Sequence, residues 1–178
     1  MTEKIAVLID SGTDVPKAFI EQYGIFVLPL RLSFSDGEYI DQVSITEEEL
    51  FRRMEKEIPK TSLPSGEDIL TTLDRLVDAG YTHVVAVCIS SGLSGTYNAL
   101  RLMSESQEHL TIEVIDSKNI SIGSGFLAME AARLVAQGQL GFNEIVERTR
   151  QLIGTCNVFF TVPSLENLKK GGRIGLVA

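Results

Sequence analysis

Short apolar runs recur along the chain, each closed by a polar or glycine-containing turn and followed by a stretch with helical spacing. Residues 4–9 and 84–89 are continuous apolar runs, the pattern of strands buried on both faces of a parallel sheet. Residues 111–115 and 156–162 read as further strands, and so do residues 25–32, with Pro29 marking the middle or an edge of that strand. Between them lie the helices. Pro16 opens one over 17–22 and Gly24 stops it. Thr46 with Glu49 forms a capping box for a helix over 47–57. Ser65 with Asp68 starts another that runs to about Ala79 and ends at Gly80. Helices follow over 97–103, over 122–137, and from the cap Asn143 to about Ile153, and a short last one ends near Lys170 before Gly171-Gly172-Arg173. Residues 35–38 form a turn by composition, and residues 58–66 a loop held by Pro59 and Pro64. Strands alternating with helices predict an α/β fold with a mostly parallel sheet and helices on both faces.

Composition narrows the class. The 178 residues are 44% hydrophobic and 22% charged, as in a soluble globular domain with a real core. A net charge of −8 argues against a nucleic-acid-binding face and against a polybasic membrane-surface protein. The N-terminus leads straight into a strand, and no apolar run is long enough to span a bilayer. The expectation is a cytoplasmic protein without stable membrane insertion. Cys88 and Cys156 lie in apolar runs and read as core residues, and with only His83 and His109 beside them there is no zinc ligand set.

The most informative stretch is Ser90-Ser91-Gly92-Leu93-Ser94-Gly95-Thr96, between a buried strand and a helix. Strand ends and helix starts meet there in one crevice, the usual ligand corner of an α/β sheet. The glycines allow close backbone approach, the helix start favours an anion, and the hydroxyls add neutral donors. A small acidic group, carboxylate or phosphate, is the first ligand to consider. The plainer reading is that Ser94 caps the helix through the N–H of Thr96 or Tyr97. Thr61 and Ser62 lie on the proline-bracketed loop, which can lean over this crevice or be an ordinary turn before a capped helix. Lys169, Lys170 and Arg173 form the densest basic cluster. The lysines suit a helix C-terminus, and Arg173 is open as a contact for phosphate or for an acidic partner.

Other chemistries lack their signatures. The glycine turn has no lysine for a Walker A loop, no G-x-G-x-x-G follows a strand, and no G-x-S-x-G elbow is present. Asp10, just after the first strand, could serve a magnesium-dependent phosphate-handling hydrolase or transferase. Gly12, however, stands where such enzymes carry a second aspartate, and a structural role for Asp10 or Asp14, as turn former or helix cap, is the reading the sequence favours.

Five motifs in order, Asp10-Ser11-Gly12-Thr13-Asp14, Thr61-Ser62-Leu63-Pro64-Ser65, Ser90 to Tyr97, Asp116-Ser117 and Leu168-Lys169-Lys170-Gly171-Gly172-Arg173-Ile174, together resemble the DegV family of bacterial fatty-acid-binding proteins. The resemblance implies a DegV-like N-terminal lobe over residues 1–162, with residues 163–178 starting the connection to a second lobe. Family members are longer, so a truncated chain is expected. It further implies one long-chain fatty acid as ligand and no cofactor. The carboxylate would be held by hydroxyls matching Thr61 and Ser94, with Ser62 close by. A histidine of the second lobe would assist. A separate fatty acid kinase would phosphorylate the bound acid to an acyl phosphate for phospholipid synthesis, making the chain a lipid-binding protein rather than an enzyme.

Overall fold

The computed structural model describes residues 3–162 together with 165, 168, 169, 172 and 173. The apolar runs form the centre of a four-stranded parallel sheet built from β1 (Ile5–Asp10), β2 (Phe26–Leu28), β6 (His83–Cys88) and β7 (Thr111–Asp116), in the order β2-β1-β6-β7. Alternate side chains of each strand enter opposite layers. Val7, Ile9, Val85, Val87 and Ile115 face the helices α5 (Ile122–Gln137) and α6 (Phe142–Ile153), with α1 (Lys17–Tyr23) beside them. Ala6, Leu8, Val84, Ala86, Cys88 and Val114 face α3 (Gly66–Asp78) and α4 (Thr96–Ser104). The expected α/β class with helices on both faces is therefore what the chain adopts.

The order of the strands sets the place of a ligand. From β1 the chain passes outward to β2, and from β6 it passes outward to β7 on the other side. The carboxyl ends of β1 and β6 thus flank the topological switch point, where open α/β sheets bind ligands. Three connections gather at this edge. They are the single 3-10 turn Ser11–Thr13 after β1, residues 89–95 after β6, and residues 117–121 after β7.

A second sheet departs from the sequence reading. The strand expected over 25–32 breaks at Pro29, which has no N–H for a ladder. Its first half is β2, and its second half becomes β3 (Arg31–Phe34) in a separate antiparallel sheet. There β3 pairs with β4 (Gly37–Ile40) across the two-residue turn Ser35-Asp36, and with β5 (Lys60–Ser62) on its other side. Residues 60–62, expected in a loop, are thus an edge strand. The helix α2 (Glu47–Met54) covers this sheet and ends before the expected Glu57. Thr46 caps it through the Glu49 N–H at 3.2 Å. Leu32, Phe34 and Ile45, with Tyr39 and Leu50, form a small core distinct from the two cores of the parallel sheet.

Two further expectations are corrected. Residues 156–162 are not a strand: they pair with no sheet, and Phe159 is 93% exposed. An apolar run alone does not make a strand: the backbone must also pair with a neighbouring strand, and residues 156–162 do not. The cap of α6 is Gly141 rather than Asn143, its N–H donating to the Glu144 carboxylate at 3.1 Å. The capping box at Ser65 and Asp68 forms in full. The short helix expected up to Lys170 falls partly outside the described residues.

Candidate functional site

The carboxyl edge of the parallel sheet and the underside of the small sheet enclose a cavity of about 730 Å³. Thr61 and Ser62 reach it from β5, and Ser91 and Ser94 from the loop after β6. Arg173 comes from the segment after α6, and its Nη2 donates to Thr61 Oγ1 at 3.1 Å. Thr61, Ser62, Ser94 and Arg173, the four site residues expected from sequence, therefore meet at one cavity. Leu30, Leu63, Ile89, Leu93, Ile120 and Leu168 supply apolar wall. A cavity of this size, mostly apolar with a few convergent polar groups, is the usual form of a small-molecule site.

The serine-rich corner does not work as a bare nest of amides. Its N–H groups are largely spent on the loop itself and on Asp116 at the end of β7. Ser91 N donates to Asp116 Oδ1, Gly92 N to Ser90 Oγ, and Leu93 N and Ser94 N to the Ser90 carbonyl. Ser94 Oγ accepts from Thr96 N at 3.3 Å and lies 2.9 Å from Thr96 Oγ1, so it takes the expected N–H, although the cap position of α4 is Gly95 and not Ser94. This network fixes the Ser94 oxygen in place. What the corner presents to an anion is hydroxyl chemistry without net charge.

Asp10 holds the two sides of the crevice together. It is fully buried; Oδ1 accepts from Gly12 N at 3.0 Å and Oδ2 from Ile89 N at 2.9 Å. Gly12 and Ile89 both line the cavity. Burial pushes the Asp10 carboxyl up to about 6 against the lowering effect of these two N–H bonds, with the nearby charge of Asp14 adding to the rise. The turn-forming reading of Asp10 is the one its geometry fits, since both oxygens are engaged by backbone. Among the described residues no group of three or more His, Cys, Asp or Glu side chains is placed to hold a metal ion.

Asp14, expected from sequence as a turn former or helix cap, takes the first of these roles at the cavity, while Ser121 is a cavity residue that the sequence does not single out. Asp14, at φ 50°, closes the 3-10 turn in the left-handed region. Ser121, at φ 54° and ψ −145°, starts α5 from a conformation that favours glycine. No local pattern signals the conformation of Ser121. Gly125 explains how α5 comes so close: a Cβ there would lie 2.5 Å from the Thr13 carbonyl oxygen.

The fold is an α/β sheet flanked by helices, with a cavity at its topological switch point. The family model described as "uncharacterised protein, DegV family" matches residues 4–178, and the chain belongs to that family. A DegV domain-containing protein of Clostridium acetobutylicum is 44% identical over 176 residues, covering 99% of this chain and 62% of the relative. Among solved structures, a stearic-acid-binding protein from Eubacterium ventriosum superposes with a TM-score of 0.87 at 34% identity, covering 98% of this chain and 62% of that one. DegV from Bacillus subtilis, described as a fatty acid binding protein, gives 0.86 at 25% identity, covering 96% and 61%. A DegV family protein from Thermus thermophilus, described by its fatty acid binding, gives 0.84 at 31% identity, covering 97% and 61%. The chain thus spans about three-fifths of the length of these relatives. Among the described residues no helix is long and apolar enough to cross a membrane.

Proposed function

We propose that this chain holds the head group of a long-chain fatty acid. The carboxylate is bound by Thr61 and Ser94 with Ser62 beside them, and the tail runs along the apolar wall. The observation that carries the reading is the single cavity of about 730 Å³ on which these hydroxyls and the Leu and Ile side chains meet. Burying a methylene contributes ~0.8 kcal/mol, so ten of them contribute about 8 kcal/mol before association costs. A hydrogen bond to the charged carboxylate contributes roughly 1.5–3 kcal/mol. The tail supplies most of the affinity and the hydroxyls set the register of the head group.

In this reading the chain is a presenting subunit and not itself an enzyme. A separate kinase protein supplies the nucleotide. The bound carboxylate oxygen attacks the terminal phosphorus, the bond to the departing diphosphate breaks, and an acyl phosphate forms. Residues 1–162 form the head-group lobe, and residues 163–178 lead toward a second lobe that completes the tunnel. Solvent extraction of the purified protein followed by mass spectrometry tests the reading: stoichiometric fatty acid supports it. Absence of lipid, with phosphatase activity that depends on metal and on Asp10, would replace it.

A further inference from the structure

The strand that carries Thr61 and Ser62 is a weak element by itself. β5 has three residues, lies at the edge of its sheet, and is exposed along its length. Its sheet has a core separate from that of the parallel sheet. Strand pairing alone does not fix so short an edge. A polar ring does.

Arg31 on β3 stands opposite Ser62 in the ladder. Its guanidinium leaves the small sheet and reaches the first turn of α3, where Nε and Nη2 donate to Asp68 Oδ2 at 3.0 and 2.7 Å. Nη2 also lies 3.3 Å from Ser65 Oγ. Asp68 in turn accepts from Ser65 N and Ser65 Oγ in the capping box. Only Leu63 and Pro64 separate Ser62 from Ser65. The ring therefore closes from Arg31 through Ser62, the two-residue link, Ser65 and Asp68 back to Arg31. The pair is largely withdrawn from water, with side chains 27% and 23% exposed. The two hydrogen bonds from one guanidinium fix an orientation that an ammonium would not. Leu63, inside the ring, packs on the Ser94 corner: its Cδ2 would touch a Cβ on Gly95 at 3.5 Å.

We propose that Arg31 and Asp68 are positioning residues for the head-group site, setting where Thr61 and Ser62 stand relative to Ser94. The inference rests on the fatty-acid reading of that cavity. With the ring intact, the Thr61 hydroxyl is held where it meets the carboxylate. With it broken, β5 drifts and the hydroxyl contributes nothing.

A double-mutant cycle read by palmitate titration of the delipidated full chain tests this. Thr61→Val is made in the wild type, in Arg31→Met and in Asp68→Asn; the last keeps a side-chain cap for α3, so the test stands if Arg31→Met does not fold. In the wild type, Thr61→Val is expected to weaken palmitate about tenfold, from the loss of one charge-assisted hydrogen bond. In either ring variant the same change is expected to cost less than about twofold. Asp68→Glu, which keeps both the charge and the cap, is expected to restore the large Thr61 effect. A ring with a purely structural role would lower the melting temperature and leave the tenfold Thr61 effect intact; that outcome overturns the proposal alone. No effect of Thr61→Val in the wild type overturns the head-group site and the proposal with it.

Discussion

Arg173 Nη2 donates to Thr61 Oγ1 across 3.1 Å, joining the segment after α6 to the edge strand β5 at the mouth of the cavity. This places a cation beside one of the hydroxyls to which the proposed function assigns the carboxylate, and the proposal extends to Arg173 as a contact for that carboxylate. Arg173→Gln is expected to weaken palmitate about tenfold, the effect of one charge-assisted contact. The uncharged alcohol of the same chain length should change less than about twofold, because it offers the cation no charge. Equal losses for acid and alcohol would mean a packing role. Unchanged palmitate affinity would leave Arg173 as a contact for the kinase or its phosphate.

Asp10 gives the fold a distinctive pH dependence. Its carboxyl is raised to about 6 by burial, above the ordinary 3.8. The protonated form is therefore the one the folded state prefers. The stability that protonation contributes is present below pH 3.8 and is lost as pH rises through 6. A shift of this size corresponds to about 3 kcal/mol. Asp36 and Asp68 run the other way. Burial opposes the ionisation of Asp68, but hydrogen bonds from Ser65 and Arg31 outweigh it and hold the carboxyl below its usual range. The Arg53 hydrogen bond does the same for Asp36. Their contributions are lost only as pH falls below that range, so the two windows separate. Urea denaturation at several pH values, comparing wild type with Asp10→Asn, should show the wild type gaining relative to the variant as pH falls from 6 toward 4. A constant difference across that range would mean that Asp10 ionises like an exposed carboxyl.

The close approach of α5 to the turn after β1 shapes one wall of the cavity. At Gly125 a methyl group would meet the Thr13 carbonyl, a backbone atom that cannot swing aside. Gly125→Ala is expected to cost about 1–3 kcal/mol, as overpacking does, despite the better helix propensity of alanine. The urea midpoint should fall with the slope unchanged. A cost under about 0.5 kcal/mol would show that α5 shifts freely at this end.

The parts of the fold that sequence made legible are those where burial dictates the pattern. Residues 84–88 are buried throughout, so β6 could only be a continuous apolar run. α5 reads to its last residue because small and apolar side chains fill it and Gly138 closes it at φ 62°. The small sheet was hidden because its strands are short and half exposed. Lys60-Thr61-Ser62 carries no hydrophobic position, and its strand character comes wholly from its pairing with Arg31–Ser33. The site was legible only in pieces. Ser94 announces itself through the glycine- and serine-rich turn, whereas spacing leaves the approach of Thr61 to it as one of two open readings, and only the family resemblance joins them at one carboxylate. The Asp10–Ile89 bond spans 79 residues and the Arg31–Asp68 pair 37, distances at which a single sequence carries no signal.

The central claim is that Thr61 and Ser94 hold the head group of a bound fatty acid. It is tested most directly by solvent extraction and mass spectrometry of the full chain, purified in parallel as wild type and as Thr61→Val/Ser94→Ala. The account expects one long-chain fatty acid per wild-type molecule. The double variant, equally folded by circular dichroism, should retain a small fraction of that amount, since losing two charge-assisted hydrogen bonds removes roughly 3–6 kcal/mol. Equal fatty acid in both proteins would contradict the assignment of the carboxylate to these hydroxyls, and no fatty acid in either would contradict the function itself.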